Sequence, residues 1–166
     1  EFPETPECNY KSNGKLSIND IKNLYDNRIF ISTDELKPAL NFYQIKDNYS
    51  EASTGYVLKR FNLDSNFNKF YMNKKCIEIL NIFKNECKIY TSDKWVKYQF
   101  DNFCLISRNL TDNFPDFNSV IPSNFVGAAE IDKLEFINAI NDISDYTNKE
   151  KKEIRLNING KFELEA

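Results

Sequence analysis

With no histidine anywhere in the sequence, the commonest general base is missing, and Ser-His and Cys-His nucleophile arrangements are excluded. What remains is paired-carboxylate, lysine-based or metal chemistry. The carboxylates do not cluster: Asp93, Asp101, Asp112, Asp145 and Glu150 fall on expected turns and helix surfaces, where solvated charge is the ordinary state. Cys8, Cys76, Cys87 and Cys104 form no C-x-x-C pair, so a zinc site would have to gather four thiolates from distant positions. Free buried thiols are the simpler expectation. Gly14, Gly55, Gly127 and Gly160 each stand alone, which leaves no phosphate-cradling loop of the P-loop or dinucleotide type. The chain is therefore expected to be no enzyme and to hold no metal and no cofactor.

The lysines offer a different chemistry. Lys74 and Lys75 open one expected helix and Lys84 lies near its end, while Lys22 and Lys133 take similar places on two others. A repeated basic helix surface suits a protein that contacts phosphate backbone without reading sequence. A solvated polar face accounts for the same residues equally well. The net charge of -3 supplies no overall basic field, so any nucleic-acid contact must come from a local face. The composition, 41% hydrophobic and 28% charged, is that of a folded globular chain. Apolar runs are only a few residues long and no charged-then-apolar leader opens the sequence, so a cytoplasmic location is expected. The opening Glu1-Phe2-Pro3-Glu4 lacks an initiator Met and reads as a piece cut from something longer.

Three stretches of one plan must position these residues: a short extended segment, an Asn or Asp, then apolar residues at helical spacing. They begin at Ile18-Asn19, Met72-Asn73 and Ile131-Asp132. In the first, Leu16 to Ile18 is extended, Asn19 or Ser17 caps, and Ile21, Leu24 and Tyr25 form the inward stripe. In the second, Phe70 to Met72 is extended, Asn73 caps, and Cys76, Ile79, Leu80 and Phe83 form the stripe. In the third, Asp132 with Glu135 resembles a capping box ahead of Leu134, Ile137, Ile140 and Ile143. Strands are expected at Ala39 to Ile45 and Val57 to Leu63 around a turn at Ser50 to Gly55. Cys87 to Thr91 and Trp95 to Phe100 flank Ser92-Asp93-Lys94, and Phe103 to Ser107 follows as another strand. The last hairpin alternates Ile154, Leu156 and Ile158, turns at Asn159-Gly160, and returns through Phe162 and Leu164. The three starts are too few and too far apart for a solenoid, but suit a domain made of two similar halves.

The segment Phe114-Pro115-Asp116-Phe117-Asn118-Ser119-Val120-Ile121-Pro122 resembles the F-P-D-Y/F-x-x-V/L-I/L-P connector of bacterial DNA sliding clamps, the DNA polymerase III beta subunit. Glu1-Phe2-Pro3-Glu4 is similar to that family's shorter connector. Ala39-Leu40-Asn41 matches its L-N-G strand start, and Ala52 to Leu58 falls where the family has A-T-D-G-H-R-L. Asn138 to Ile143 and Arg155-Leu156 fit the last domain's first helix and following strand. The resemblance covers essentially the whole chain and implies an α+β DNA-clamp fold, with repeated strand-helix-strands halves and the helices on one face of antiparallel sheet. It implies a middle domain at 1–112, an interdomain connector at 113–125, and the first half of the last domain at 126–166.

The implied function is a non-catalytic ring of two head-to-tail chains that encircles duplex DNA and tethers DNA polymerase, clamp loader and repair proteins through short linear peptides. Carried over position by position, the peptide pocket's wall comprises Leu40, Ser53, Gly55, Tyr56, Val57, Leu58, Pro115 and Val120. Tyr56 stands where the family has His, Val57 and Ser119 where it has Arg, and Asn113 replaces the Arg before the F-P, so a less basic pocket with an altered peptide preference is expected. The rival expectation is a diverged clamp-like peptide-binding or regulatory module that does not encircle DNA.

Overall fold

The computed structural model describes residues 6–111, 113–125, 127–147, 153–158 and 162–165. The opening Glu1-Phe2-Pro3-Glu4, Asp112, Glu150 and the expected Asn159-Gly160 turn lie outside them. The chain divides into two units, Glu1–Ile121 and Pro122–Ala166.

In the first unit β1 (Lys11–Leu16) runs into α1 (Ile18–Asp26), so the extended segment ends at Leu16 and begins earlier than expected. The cap is Ser17 rather than Asn19. Its hydroxyl accepts from the Asp20 amide at 3.0 Å, and the Asp20 carboxylate accepts from the Ser17 amide at 3.1 Å, a complete capping box. Asp20 is buried because it also accepts from the Asp64 amide at 2.8 Å, which ties the helix start to a distant strand.

The long hairpin departs most from expectation. Its strands, β2 (Phe42–Ser53) and β3 (Leu58–Asn73), pair from Phe42 opposite Asn73 to Ser53 opposite Leu58. The 39–41 segment is instead a 3-10 turn, Pro38–Asn41, started by the fixed φ of Pro38. Residues 50–53, whose polarity suggests a turn, are buried strand, because Ser50, Glu51 and Ala52 pair with Phe61, Arg60 and Lys59. The reversal needs only Thr54 to Val57, with Gly55 at φ +95 supplying the left-handed step. Nor does β3 stop at Leu63. Its middle is stitched to β1 by the buried Asn13 side chain, which accepts from the Asn68 amide at 2.7 Å and donates to the Asn68 carbonyl at 2.9 Å. Gly14 beside it, at φ +96, lets the two strands close up: a Cβ there would lie 3.1 Å from the Asn66 carbonyl oxygen and from the Phe67 ring.

The second helix, α2 (Lys74–Phe83), is capped by Asn73, which accepts from the Cys76 amide at 2.9 Å. Its buried residues are Cys76, Ile77 and Leu80. Ile77 takes the inward place expected for Ile79, while Phe83 sits at the rim against the rings of Phe100 and Phe103. Strands β4 (Cys87–Thr91), β5 (Trp95–Gln99) and β6 (Cys104–Arg108) complete a four-stranded antiparallel sheet in the order β1-β4-β5-β6. β5 and β6 lie within one residue of their expected bounds. One core joins the inward stripes of both helices to Leu16, Tyr43, Ile45, Phe70, Met72, Ile89, Val96 and Tyr98. Of the four thiols only Cys76 and Cys87 are in that interior, and burial pushes both up, Cys87 to about 12. Cys104 is exposed and Cys8 half-buried, against the expectation of buried thiols.

A polar network crosses the far end of the hairpin. The Glu51 carboxylate, 3% exposed, accepts from Arg60 Nε at 2.8 Å and Nη2 at 2.7 Å, and from Gln44 Nε2 at 2.7 Å. Arg60 also donates to Asn118 Oδ1 at 2.7 Å and lies over the Tyr49 ring. The connector is held there by further contacts. Phe114 packs on Tyr71 and Phe117, Phe117 is buried, and Asp116 caps the short 3-10 turn Phe117–Ser119.

In the second unit Asp132 caps α3 (Lys133–Ser144), its carboxylate accepting from the Leu134 and Glu135 amides, both at 2.9 Å. Among the described residues the Glu135 side chain returns no bond, so only half of the expected capping box forms. Strands β7 (Arg155–Ile158) and β8 (Phe162–Glu165) pair antiparallel, and Phe136 meets Phe162 edge-on. None of the α3 stripe is buried, since a two-stranded hairpin is too small to cover a helix face.

Gly14→Ala forces an L side chain into a left-handed position already in contact, and is expected to cost about 1–3 kcal/mol, read as a lower thermal midpoint. An unchanged midpoint contradicts the close approach. Arg60→Ala leaves Glu51 buried without its cation. The expected loss is about 2–3 kcal/mol in denaturant unfolding, less than the roughly 3–5 kcal/mol of a fully enclosed pair, because the Arg60 side chain is 32% exposed. Combining it with Glu51→Leu should recover most of that loss, and no recovery would show that the charge is not the cause.

Candidate functional site

The hairpin reversal and the 3-10 turn beside it build an apolar cup. Leu40 lies within the turn, where its carbonyl accepts from the Ser32 amide at 3.0 Å, and its side chain is 8% exposed. Above it lies the bare backbone of Gly55: a Cβ placed there would meet Leu40 Cδ1 at 3.8 Å and Lys37 Nζ at 3.6 Å. Hydroxyls hold the reversal in shape. Ser53 accepts from the Gly55 amide at 2.9 Å, and Thr54 accepts from the Val57 amide at 3.3 Å. Tyr56 is 94% exposed and Val57 half-exposed, while Leu58, the first residue of β3, is half-buried. Leu40, Ser53, Gly55, Tyr56, Val57 and Leu58 thus share one end of the hairpin.

Pro115 and Val120 lie exposed on the connector, which Arg60 and Asn118 fasten to the same hairpin two positions along from Leu58. Tyr56, Val57, Pro115 and Val120 are open to solvent, so these residues do not enclose a chamber. Sequence reasoning misses two features of this face. Lys37 brings a cation to Gly55, on a side where Val57 and Ser119 bring none. The Glu51–Arg60 pair holds the face together, and its signal is present in the sequence as opposite charges at facing positions of one hairpin.

The candidate phosphate-contacting lysines stand on the helices. Lys22 is exposed on α1, Lys75 is exposed and Lys74 half-buried at the start of α2, and Lys84 sits just past its end at φ 51. Helices α1 and α2 pack against one another. Among the described residues none of these four lysines is in an ion pair, and the nearby Glu78 is turned to Arg28 at 3.8 Å. Two lysines in a first turn without a carboxylate oppose the helix dipole by about 0.3–1 kcal/mol each. An anion at that turn would reverse the sign, since amides and ammonium groups would both point at it. Lys133 opens α3 in the second unit. No described helix is long and apolar enough to cross a membrane.

No family model matches the chain. The beta sliding clamp of Rickettsia bellii (strain RML369-C) is 24% identical over 176 residues, covering 96% of this chain and 46% of its own length. Among solved structures, the beta sliding clamp of C. crescentus superposes with a TM-score of 0.83 at 20% identity, over 99% of this chain and 49% of that one. The Pseudomonas aeruginosa clamp with ligand gives 0.82 at 19%, over 99% and 49%. The Bartonella birtlesii clamp bound to griselimycin gives 0.78 at 21%, over 98% and 49%. The chain spans about half the length of the clamps it matches. It has the α+β fold of the DNA sliding clamps and resembles the bacterial beta sliding clamp, the DNA polymerase III beta subunit, along nearly all of its sequence.

Proposed function

We propose that this chain is part of a DNA sliding clamp, a non-catalytic ring that encircles duplex DNA and tethers a replicative polymerase and other partners in the cytoplasm. On this reading residues 1–112 are its middle domain, 113–125 the connector and 126–166 the first half of the last domain. The observation that carries it is the superposition of 99% of the chain on a clamp structure. Topological enclosure needs no catalytic group and no base reading, only cations near the phosphates, and unpaired lysines on two adjacent helices suit that task. Lys22, Lys74, Lys75, Lys84 and Lys133 are assigned to it.

The apolar face around Leu40, Gly55 and Leu58, with Pro115 and Val120, is assigned to partner peptides. The C. crescentus clamp has polyethylene glycol bound to a region proposed for beta-motif tethering, which supports a ligand-binding region in this fold. With Val57 and Ser119 neutral and Lys37 the cation beside Gly55, a peptide here relies more on apolar anchors than on its carboxylates.

The test uses the full-length protein that carries this chain, loaded on nicked circular DNA. It should stay on the circle and leave after linearisation, and Lys74→Glu with Lys75→Glu should shorten its stay on the circle. Equal release from circle and linear DNA contradicts encirclement. Insensitivity to the paired charge reversal contradicts the placement of α2 against the duplex.

A further inference from the structure

We infer that the outward face of the β1-β4-β5-β6 sheet binds single-stranded nucleic acid, a site distinct from the apolar cup, whose Arg108 edge borders the cleft that also holds Lys74 and Lys75. These four strands carry Lys11, Lys15, Lys88, Lys97 and Arg108 and not one Asp or Glu, in a chain that has 25 carboxylates and a net charge of -3. Such segregation makes a local basic field on an otherwise acidic molecule.

Strand alternation sends all of these cations but Lys11 to one side. Leu16, Cys87, Ile89, Val96 and Tyr98 are buried in the core shared with the helices, so their neighbours Lys15, Lys88, Tyr90, Trp95 and Lys97 point away from it. Register then sets cations beside rings. Lys97 lies opposite Tyr90 with its amine 5.9 Å from the ring centre, and Arg108 lies opposite Trp95 with its guanidinium 5.5 Å away. Lys15 faces Lys88 directly, a like-charge pair that destabilises a sheet until a polyanion lies across it. Lys15 reaches Glu86; among the described residues Lys88, Lys97 and Arg108 have no carboxylate partner. The remaining carboxylates near this face are Asp93 and Asp101 in the turns, and Glu7. At the Trp95 end the surface continues into a cleft of about 830 Å³ walled by Lys11, Lys69, Lys94 and Trp95, with Glu7 and Asp93.

Cations alternating with half-exposed aromatic rings match a backbone of phosphates spaced by bases that are free to stack. A duplex offers no unpaired base to Tyr90 or Trp95, and an acidic peptide would use the lysines and leave the rings idle. Trp95 is the sole tryptophan, so its fluorescence reports this face alone.

The experiment titrates the chain with an oligo-dT of about a dozen nucleotides at low salt. Saturable quenching of Trp95 is expected. Lys97→Glu with Arg108→Glu should weaken binding at least about tenfold and lower the salt slope by about 1.4, at about 0.7 per lost phosphate contact, with circular dichroism unchanged. Lys88→Glu, an exposed and unpaired position, should act in the same direction, whereas Lys46→Glu on β2 should not. The inference is overturned by an absence of quenching, by equal quenching with polyglutamate or with a duplex of the same length, or by folded variants that bind as the parent does.

Discussion

A carboxylate as deeply enclosed as Glu51 is tolerable only with a cation against it, and Arg60 on the facing strand is that cation. The pairing fixes the register of the stretch next to the reversal, Tyr49–Ser53 opposite Leu58–Asn62. A slip of one position there would bury an unpaired charge and turn the side chains of that stretch to the wrong face. From that register the rest of the candidate site follows. Ser53 meets Leu58, the reversal is left to Thr54 through Val57, and the backbone of Gly55 comes to rest over Leu40. The same guanidinium donates to Asn118, so one cation sets the hairpin and fastens the connector that carries Pro115 and Val120.

A second set of contacts keeps the two sheets in step. Asn13 bonds both main-chain groups of Asn68, Gly14 permits the close approach, and Asp20 reaches from its capping box to the Asp64 amide. With sheets and helices joined through one core, the first unit presents two charged surfaces, which meet where Arg108 shares a cleft with Lys74 and Lys75. The helix surface carries unpaired lysines, one pair of them placed against the helix dipole. The sheet surface carries cations interleaved with rings. The lysines of the α2 first turn and the facing Lys15 and Lys88 weaken the fold slightly, so folding stability does not explain those placements.

Local chemistry makes much of this fold legible in the amino-acid sequence. The starts of all three helices announce themselves through Ser17, Asn73 and Asp132, because capping is a bond between a side chain and amides two or three residues away. Strand β5 alternates cleanly, and the expected bounds of β4, β5 and β6 hold to within a residue. What escapes depends on partners distant in sequence. Residues 50–53 have turn-like composition and become strand because Arg60 neutralises Glu51 across the hairpin. The middle of β3 is strand because Asn13, 55 positions away, supplies its bonds. Ile77 faces inward instead of Ile79 because the packing of α2 against its neighbours, and not its own periodicity, chooses the face. The wall residues of the cup come from the resemblance to clamps, whereas Lys37 beside Gly55 is visible only once the loop before Pro38 has folded back over the reversal.

The proposed peptide site around Leu40, Gly55 and Leu58 depends on the hairpin and connector holding it ready-made. The most direct measurement is calorimetric titration of a short clamp-binding peptide with apolar anchors into this chain and into its Leu58→Asp variant. Saturable binding to the parent, weakened at least about tenfold by a charge in the cup, is the result the account predicts. Equal, weak heats for both proteins would contradict it.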